Sequence, residues 1–222
     1  MTARWLIPLG AWLALAGYFG PWIGHPVAGL VITGLDLGEY VKFLPPVRSG
    51  AVWLWRPGFY APLVAVSAGC ILAAFRQELG YRWWMRAALL AAALAAALNL
   101  LPPAWTPARL LEPEFRWQMA ALAGLLAALL ISPFLALLPR RLAAAAVTLL
   151  ALAGLIFPAQ GFFAVLPTIA ELYNRPLRPA WGLWLMLTGL LVYAGAFWLP
   201  HAAPRAPATA PLRPARTEPS AD

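Results

Sequence analysis

Six long apolar runs follow one another along the chain and constrain its fold more than any other feature. They cover residues 5–23, 59–75, 84–101, 117–138, 142–166 and 181–199. An α-helix of about 20 residues crosses the hydrocarbon core of a bilayer. Only 11% of the residues are charged, against about 25% in soluble domains. The sequence therefore predicts an all-α fold, a polytopic membrane bundle of six transmembrane helices over residues 1–200.

The first run has a second interpretation, as a cleavable signal peptide. Ala14-Leu15-Ala16 has the small residues of a cleavage site. Apolar character continues beyond this point to Ile23, and Trp5, Pro8 and Trp12 are unusual in a signal-peptide core. These features favour a retained span.

Residues 27–44, between the first two runs, have a different pattern. At 100° per residue, leucines and valines occupy one arc, whereas Thr33, Asp36, Glu39 and Tyr40 occupy the opposite arc, together with Ile32 and Phe43. If this segment crossed the membrane, each carboxylate would cost about 2.5 kcal/mol or more near the centre. The pattern instead predicts one amphipathic helix lying in the outer interface.

The basic residues predict the orientation. An even number of spans places both termini on one side. With the N-terminus inside, the inner segments hold nine basic residues and the outer segments seven, and the Arg140-Arg141 pair is the strongest single signal. The sequence therefore predicts that both termini are cytoplasmic (N-in and C-in). Residues 201–222 are rich in proline, alanine and arginine, which predicts a disordered, basic cytoplasmic tail.

The use of one lysine against fifteen arginines suggests a GC-rich bacterial genome. The expected location is therefore the cytoplasmic (inner) membrane of a bacterium. Scattered arginines at the ends of apolar runs are typical of headgroup contacts, so we expect membrane lipid as a partner and no nucleic acid.

The candidate binding residues form an outer-face polar cluster: Asp36, Glu39, Lys42, Arg48 and Arg56. Glu39 is three residues from both Asp36 and Lys42, so it could repel the first and neutralise the second. In one interpretation, the two carboxylates face a water-filled vestibule and bind a cation, a proton or a basic group. In the other, they are the solvated face of an interfacial helix. Arg48 or Arg56 could also clamp a lipid headgroup.

The sequence lacks the familiar signatures of catalytic and metal sites. It has a single cysteine, Cys70, and its two histidines, His25 and His201, fall on opposite sides of the membrane in the predicted topology. The H-E-x-x-H, Cys-x-x-Cys and G-x-S-x-G patterns do not occur. We therefore predict no catalytic residue, no metal ligand and no cofactor.

Small residues recur at four-residue steps in three of the runs. In a membrane, helices associate by close packing, so such ridges indicate contact faces. The ridges are Ala61, Ala65, Gly69 and Ala73; Ala87, Ala91, Ala95 and Asn99; and Ala120, Gly124, Ala128, Ser132 and Ala136.

Three functions are compatible with these features. The first is a non-enzymatic membrane subunit that packs against partners, either other subunits of a transport or export complex or further copies of itself. The second is a small transporter or permease for a solute or lipid. The third is an intramembrane enzyme that modifies lipid at the outer face. The small-residue ridges and the missing catalytic motifs favour the first.

Overall fold

The computed structural model describes residues 3–25, 27, 30–103 and 106–200, and the predicted tail at 201–222 lies outside them. The described part is mostly helical, with 76% helix, which confirms the helical class. Its ten α-helices are α1 (Leu6–Phe19), α2 (Gly34–Tyr40), α3 (Pro45–Arg48), α4 (Ala61–Ala74), α5 (Trp83–Leu98), α6 (Pro107–Leu110), α7 (Arg116–Leu130), α8 (Ser132–Leu135), α9 (Arg140–Leu172) and α10 (Trp181–Trp198).

Shorter elements connect these helices. Two short strands, β1 (Pro21–Ile23) and β2 (Ile32–Thr33), pair antiparallel beside the end of α1. Turns of 3-10 helix lie at Ala3–Trp5, Val41–Phe43, Arg56–Tyr60, Gln77–Leu79 and Pro113–Phe115. The turn at Arg56–Tyr60 runs directly into α4.

Three helical segments are long and apolar enough to cross a membrane: Arg56–Ala74, Arg140–Leu172 and Trp181–Trp198. They are consistent with a membrane protein. The other three predicted spans correspond to α1, α5 and α7, which have 14, 16 and 15 residues. At 1.5 Å per residue, these three helices are about 21 to 24 Å long.

Proline explains most of the differences from the predicted boundaries. The first run leaves the helix at Phe19, because Gly20 precedes Pro21 and has an extended backbone. The run 117–138 is interrupted at Ile131, since Pro133 has no N–H for the helical hydrogen bond. The run 142–166 is longer than predicted, because α9 continues through Pro158 and Pro167 to Leu172.

The prediction of one amphipathic helix over 27–44 is corrected. Ile32 and Thr33 pair with β1, and the helix begins only at Gly34. Its apolar residues Leu37 and Val41 are fully buried. Leu37 and Val41 therefore pack on the rest of the protein, whereas Val27 and Leu30 of the predicted apolar arc are exposed.

Helices α1 and α10 make the closest crossing in the bundle. A Cβ atom added to Gly17 would lie 2.1 Å from the backbone nitrogen of Met186, and one added to Gly189 would lie 2.3 Å from that of Ala14. Only glycine allows two helix backbones to approach this closely. Helices α1 and α10, the first and last α-helices of the described residues, are thus direct neighbours.

Hydrogen bonds gather the connecting segments at two ends of the bundle. At the Arg4 end, side chains donate to carbonyl groups of other segments: Tyr81 to Arg4, Arg76 to Leu138, and Arg140 to Phe197. At the opposite end, the α2 end, Ala180 N donates to Trp22 O at 2.8 Å and Tyr173 Oη donates to Leu30 O at 3.2 Å.

Candidate functional site

Asp36, the first of the predicted site residues, caps helix α2. Its Oδ2 accepts hydrogen bonds from the backbone N and Oγ1 of Thr33 at 2.9 and 2.8 Å, and Asp36 N donates to Thr33 Oγ1 at 3.3 Å. This reciprocal capping box satisfies backbone groups at the helix start. Asp36 is exposed. Its carboxylate is hydrogen-bonded to the nearby Thr33 and takes no part in the contacts of Glu39.

Glu39 lies one turn later and belongs to an ion-pair ring of four residues. Lys42 Nζ lies 3.1 Å from Glu39 Oε2 and 3.2 Å from Glu114 Oε1. Arg56 closes the ring, with Nη1 at 3.5 Å from Glu39 Oε1 and Nη2 at 3.1 Å from Glu114 Oε1. Two cations and two carboxylates alternate, so the ring is electrically balanced. It joins α2, the turn before α4 and the turn before α7.

Arg56 is the most enclosed member of the ring. Its side chain is 12% exposed, against 22% for Glu39 and 43% for Glu114. Its guanidinium also donates to Gly38 O at 3.3 Å and to Glu114 O at 3.4 Å. A guanidinium offers five donors in a fixed plane, so Arg56 can cross-link three segments where a lysine could not.

Tyr60 stabilises the ion-pair ring through a hydrogen bond. Its hydroxyl donates to Glu39 Oε1 at 2.6 Å. The aromatic ring of Tyr60 packs against Gly38, where an added Cβ would be 2.9 Å from Tyr60 Cζ. Gly38 therefore allows the tyrosine to pass beneath α2 and reach the carboxylate.

The aromatic ring of Phe115 lies under both cations. Arg56 Cζ is 5.4 Å and Lys42 Nζ is 5.8 Å from the ring centroid, within the range of cation–π attraction. Phe115 itself is buried. It holds the end of the loop beside the ion-pair ring.

The ion-pair ring lines one side of an open recess of about 980 Å³. Arg48 and Arg109 are two further cations in its lining, and both are exposed. Arg109 Nη1 lies 3.3 Å from Glu112, whereas Arg48 forms no ion pair with any carboxylate in the described residues. The lining carries four cations and two carboxylates, a net charge of +2.

An apolar groove of about 290 Å³ lies next to this recess, between α4, α7 and α9. The two spaces have neighbouring residues in their walls. Arg56 and Phe115 line the recess, whereas Pro57 and Trp117 line the groove. Tyr60 lines the groove while its hydroxyl reaches Glu39 in the recess. The polar and apolar spaces are therefore adjacent parts of one end of the bundle.

The structure brings four of the five predicted site residues to one recess: Glu39, Lys42, Arg48 and Arg56. Asp36 does not line it. Sequence reasoning did not select Glu114, Arg109 or Tyr60. The one signal for Glu114 was the predicted topology, which places the loop containing Glu112 and Glu114 on the same side of the membrane as Arg56. Nothing in the sequence indicates how far this loop lies from α2.

The described residues contain no group of three or more histidine, cysteine, aspartate or glutamate side chains placed to hold a metal ion. Both carboxylates of the ring are engaged by cationic side chains. The recess is therefore chemically suited to binding an anionic group beside the electrically balanced ion-pair ring.

Searches of protein-family models, of curated proteins and of solved structures gave no match to this chain. The class that the fold defines is a helical bundle with three helices able to span a membrane.

Proposed function

We propose that this chain is a six-span membrane protein and a non-enzymatic subunit that packs against partner helices in a larger membrane complex of the transport or export type. Six helical segments connect the two ends of the bundle, α7 and α8 together forming one of them. The shorter segments gain length from adjoining turns, such as Ala3–Trp5 before α1.

The outer surface of the bundle supports placement in lipid. Only 33% of the most apolar stretch of α9 is buried. Leu130, Leu149 and Leu191, on three different helices, are each more than half exposed. Contiguous apolar surface of this kind is unusual on a soluble monomer and is the normal outer face of a membrane bundle.

The charges support an orientation with both termini in the cytoplasm. The sequence assigns nine basic residues to the Arg4 end and seven to the α2 end. Those of the Arg4 end are Arg4, Arg76, Arg82, Arg86, Arg140 and Arg141, together with Arg205, Arg213 and Arg216 that follow α10 in the sequence. Those of the α2 end are Lys42, Arg48, Arg56, Arg109, Arg116, Arg175 and Arg178. Cytoplasmic segments carry an excess of basic residues. We therefore propose the Arg4 end as cytoplasmic and the α2 end as outer, in a bacterial inner membrane.

The observation that carries the subunit role is the pair of small-residue faces left open on α5 and α7. The ridge on α4 shows how such faces are used, because Ala65, Gly69 and Ala73 are buried against other helices of the bundle. On α5, Ala87, Ala91 and Ala95 of the corresponding ridge are exposed, and on α7 Gly124 is exposed, with the exposed Ala127 beside the half-buried Ala128 of the ridge. These faces allow close approach of a further helix.

The test is replacement of small residues on the open faces. Ala91→Leu and Ala127→Leu should each remove a stoichiometric partner, or a second copy of the chain, from complexes purified in mild detergent. Gly195→Leu is the control, because Gly195 is exposed on α10, where an added Cβ meets no atom within 4 Å, and α10 packs mainly on α1 and α9. Complexes that remain intact in all three variants, or a protein that is monomeric in its native membrane, would contradict the proposal.

A further inference from the structure

We propose that the recess and the apolar groove form one binding site for an anionic phospholipid. The phosphate lies at Arg48 and Arg109, and one acyl chain lies in the groove. This inference rests on the membrane placement proposed above but not on the subunit role.

The charge of the recess argues for an anionic headgroup. The cations of the ion-pair ring, Lys42 and Arg56, each lie beside two carboxylates, so the ring adds no net charge. Arg48 and Arg109 supply the excess of +2 in the lining. Glu112, which pairs with Arg109 from outside the lining, lowers the local excess to +1. Both arginines are exposed and close to the opening, where a phosphate can accept paired hydrogen bonds from a guanidinium.

The groove argues that this anion is carried on a lipid. The groove is almost wholly apolar and is lined by residues of three helices, including Val64, Ala120 and Leu150. Trp117 lines the groove and is 53% exposed, so the groove reaches the outer surface of the bundle. A free phosphate would gain nothing from such a surface, whereas an acyl chain gains packing contacts along it.

The position of the two spaces matches the shape of a phospholipid. The recess lies at the α2 end, beside the turns that begin the helices, and the groove runs from there along α7 towards the bundle middle. Tyr60 and Glu39 stand at the boundary between them, with a hydroxyl–carboxylate hydrogen bond of 2.6 Å. Tyr60 therefore links the wall of the groove to the wall of the recess, so that a headgroup in one and an acyl chain in the other lie side by side.

The experiment measures the lipid retained by the purified full-length chain. The protein is equilibrated in detergent micelles that contain phosphatidylcholine and phosphatidylglycerol in equal amounts, and bound lipid is counted by native mass spectrometry. We expect preferential retention of phosphatidylglycerol. The double variant Arg48→Gln/Arg109→Gln should retain about tenfold less of it, because each basic side chain near an anionic headgroup contributes to binding.

The matched control is Arg175→Gln/Arg178→Gln, which removes two exposed arginines of the same end outside the recess. It should bind as the unaltered chain does. Equal loss of phosphatidylglycerol in both double variants would overturn the proposal, because it would show attraction to the total charge of this end.

A second pair of variants tests the groove. Ala120→Phe places a ring in the groove, whereas Ala123→Phe is exposed on the same helix outside its lining. Only Ala120→Phe should lower lipid retention. Inorganic phosphate in excess should not displace the lipid from the unaltered chain. Displacement by phosphate alone, or an effect of neither phenylalanine, would overturn the lipid assignment.

The same preparation separates the two proposals. If the chain does not enter the membrane, it will be found in the soluble fraction without detergent, and the six-span proposal fails. If it requires detergent but retains both lipids equally, only the lipid site is overturned.

Discussion

The hydroxyl of Tyr60 donates a hydrogen bond of 2.6 Å to Oε1 of Glu39, across the boundary between the apolar groove and the charged recess. Glu39 is thereby held by a hydrogen bond from the neutral Tyr60 hydroxyl and by ion pairs with Lys42 and Arg56. A carboxylate held by three side chains from two turns, Val41–Phe43 and Arg56–Tyr60, makes this end of the bundle rigid.

Tyr60→Phe should therefore lower the free energy of unfolding by about 1.5 to 2 kcal/mol, because a hydrogen bond to a charged group is lost while the ring remains. The measurement is unfolding of the purified protein in a denaturing detergent, followed by tryptophan fluorescence. Tyr40→Phe is the control, since Tyr40 is partly exposed on α2 and the recess does not include it. Equal losses in both variants would contradict the role given to Tyr60.

Glu114→Gln should detach the loop before α7 from α2. Glu114 lies 3.2 Å from Lys42 and 3.1 Å from Arg56, and the amide cannot balance either charge. Because Glu114 is partly exposed, we expect a loss of only about 1 kcal/mol in stability. The more sensitive measurement is hydrogen exchange, which should accelerate at residues 34–43 and 113–118.

Glu112→Gln is the matched control for that experiment. Glu112 pairs only with the exposed Arg109 in the described residues, so its loss should leave exchange in α2 unchanged. Faster exchange in α2 with Glu112→Gln, or none with Glu114→Gln, would show that the ring does not join these segments.

Alanine substitution of two helical glycines should have opposite effects. At Gly17 an added Cβ would lie 2.1 Å from the backbone of α10, whereas at Gly124 it would meet no atom within 4 Å. Gly17→Ala should destabilise the protein by about 2 kcal/mol through overpacking. Gly124→Ala should stabilise it by about 0.5 to 1 kcal/mol through helix propensity. Effects of the same sign in detergent unfolding would contradict the α1–α10 crossing.

The proposed orientation predicts which loops are accessible from outside the cell. Ser49→Cys lies at the α2 end and Gln77→Cys at the Arg4 end, and both positions are exposed. A membrane-impermeant thiol reagent should label the first in intact cells, and the second only after permeabilisation. The native Cys70 is buried and provides the unlabelled background. The reverse pattern would require the opposite orientation.

The helix positions could largely be predicted from the sequence, because apolar length is a strong signal. Three helix ends differ from prediction at prolines, since the backbone effect of proline depends on its surroundings. The helix is interrupted near Pro133, whereas α9 continues through Pro158 and Pro167. Packing against the rest of the bundle, which the sequence does not show, can offset the lost hydrogen bond.

The site was predictable only where its contacts are local. The Glu39–Lys42 pair was expected from its three-residue spacing and occurs at 3.1 Å. Thr33, three residues before Asp36, was a local cap signal that could have removed Asp36 from the candidates. Glu114 is 72 residues from Lys42, and only the fold brings them together.

The close crossing of α1 and α10 sets an order for biosynthesis. Because α1 is synthesised before α10, its glycine surface stays unpaired until residues 181–198 have been made. A chain that ends before Trp181 would leave the glycine surface of α1 exposed. Quality-control proteases could then recognise this surface as a sign of incomplete synthesis. The α1–α10 crossing closes only once α10 has been made.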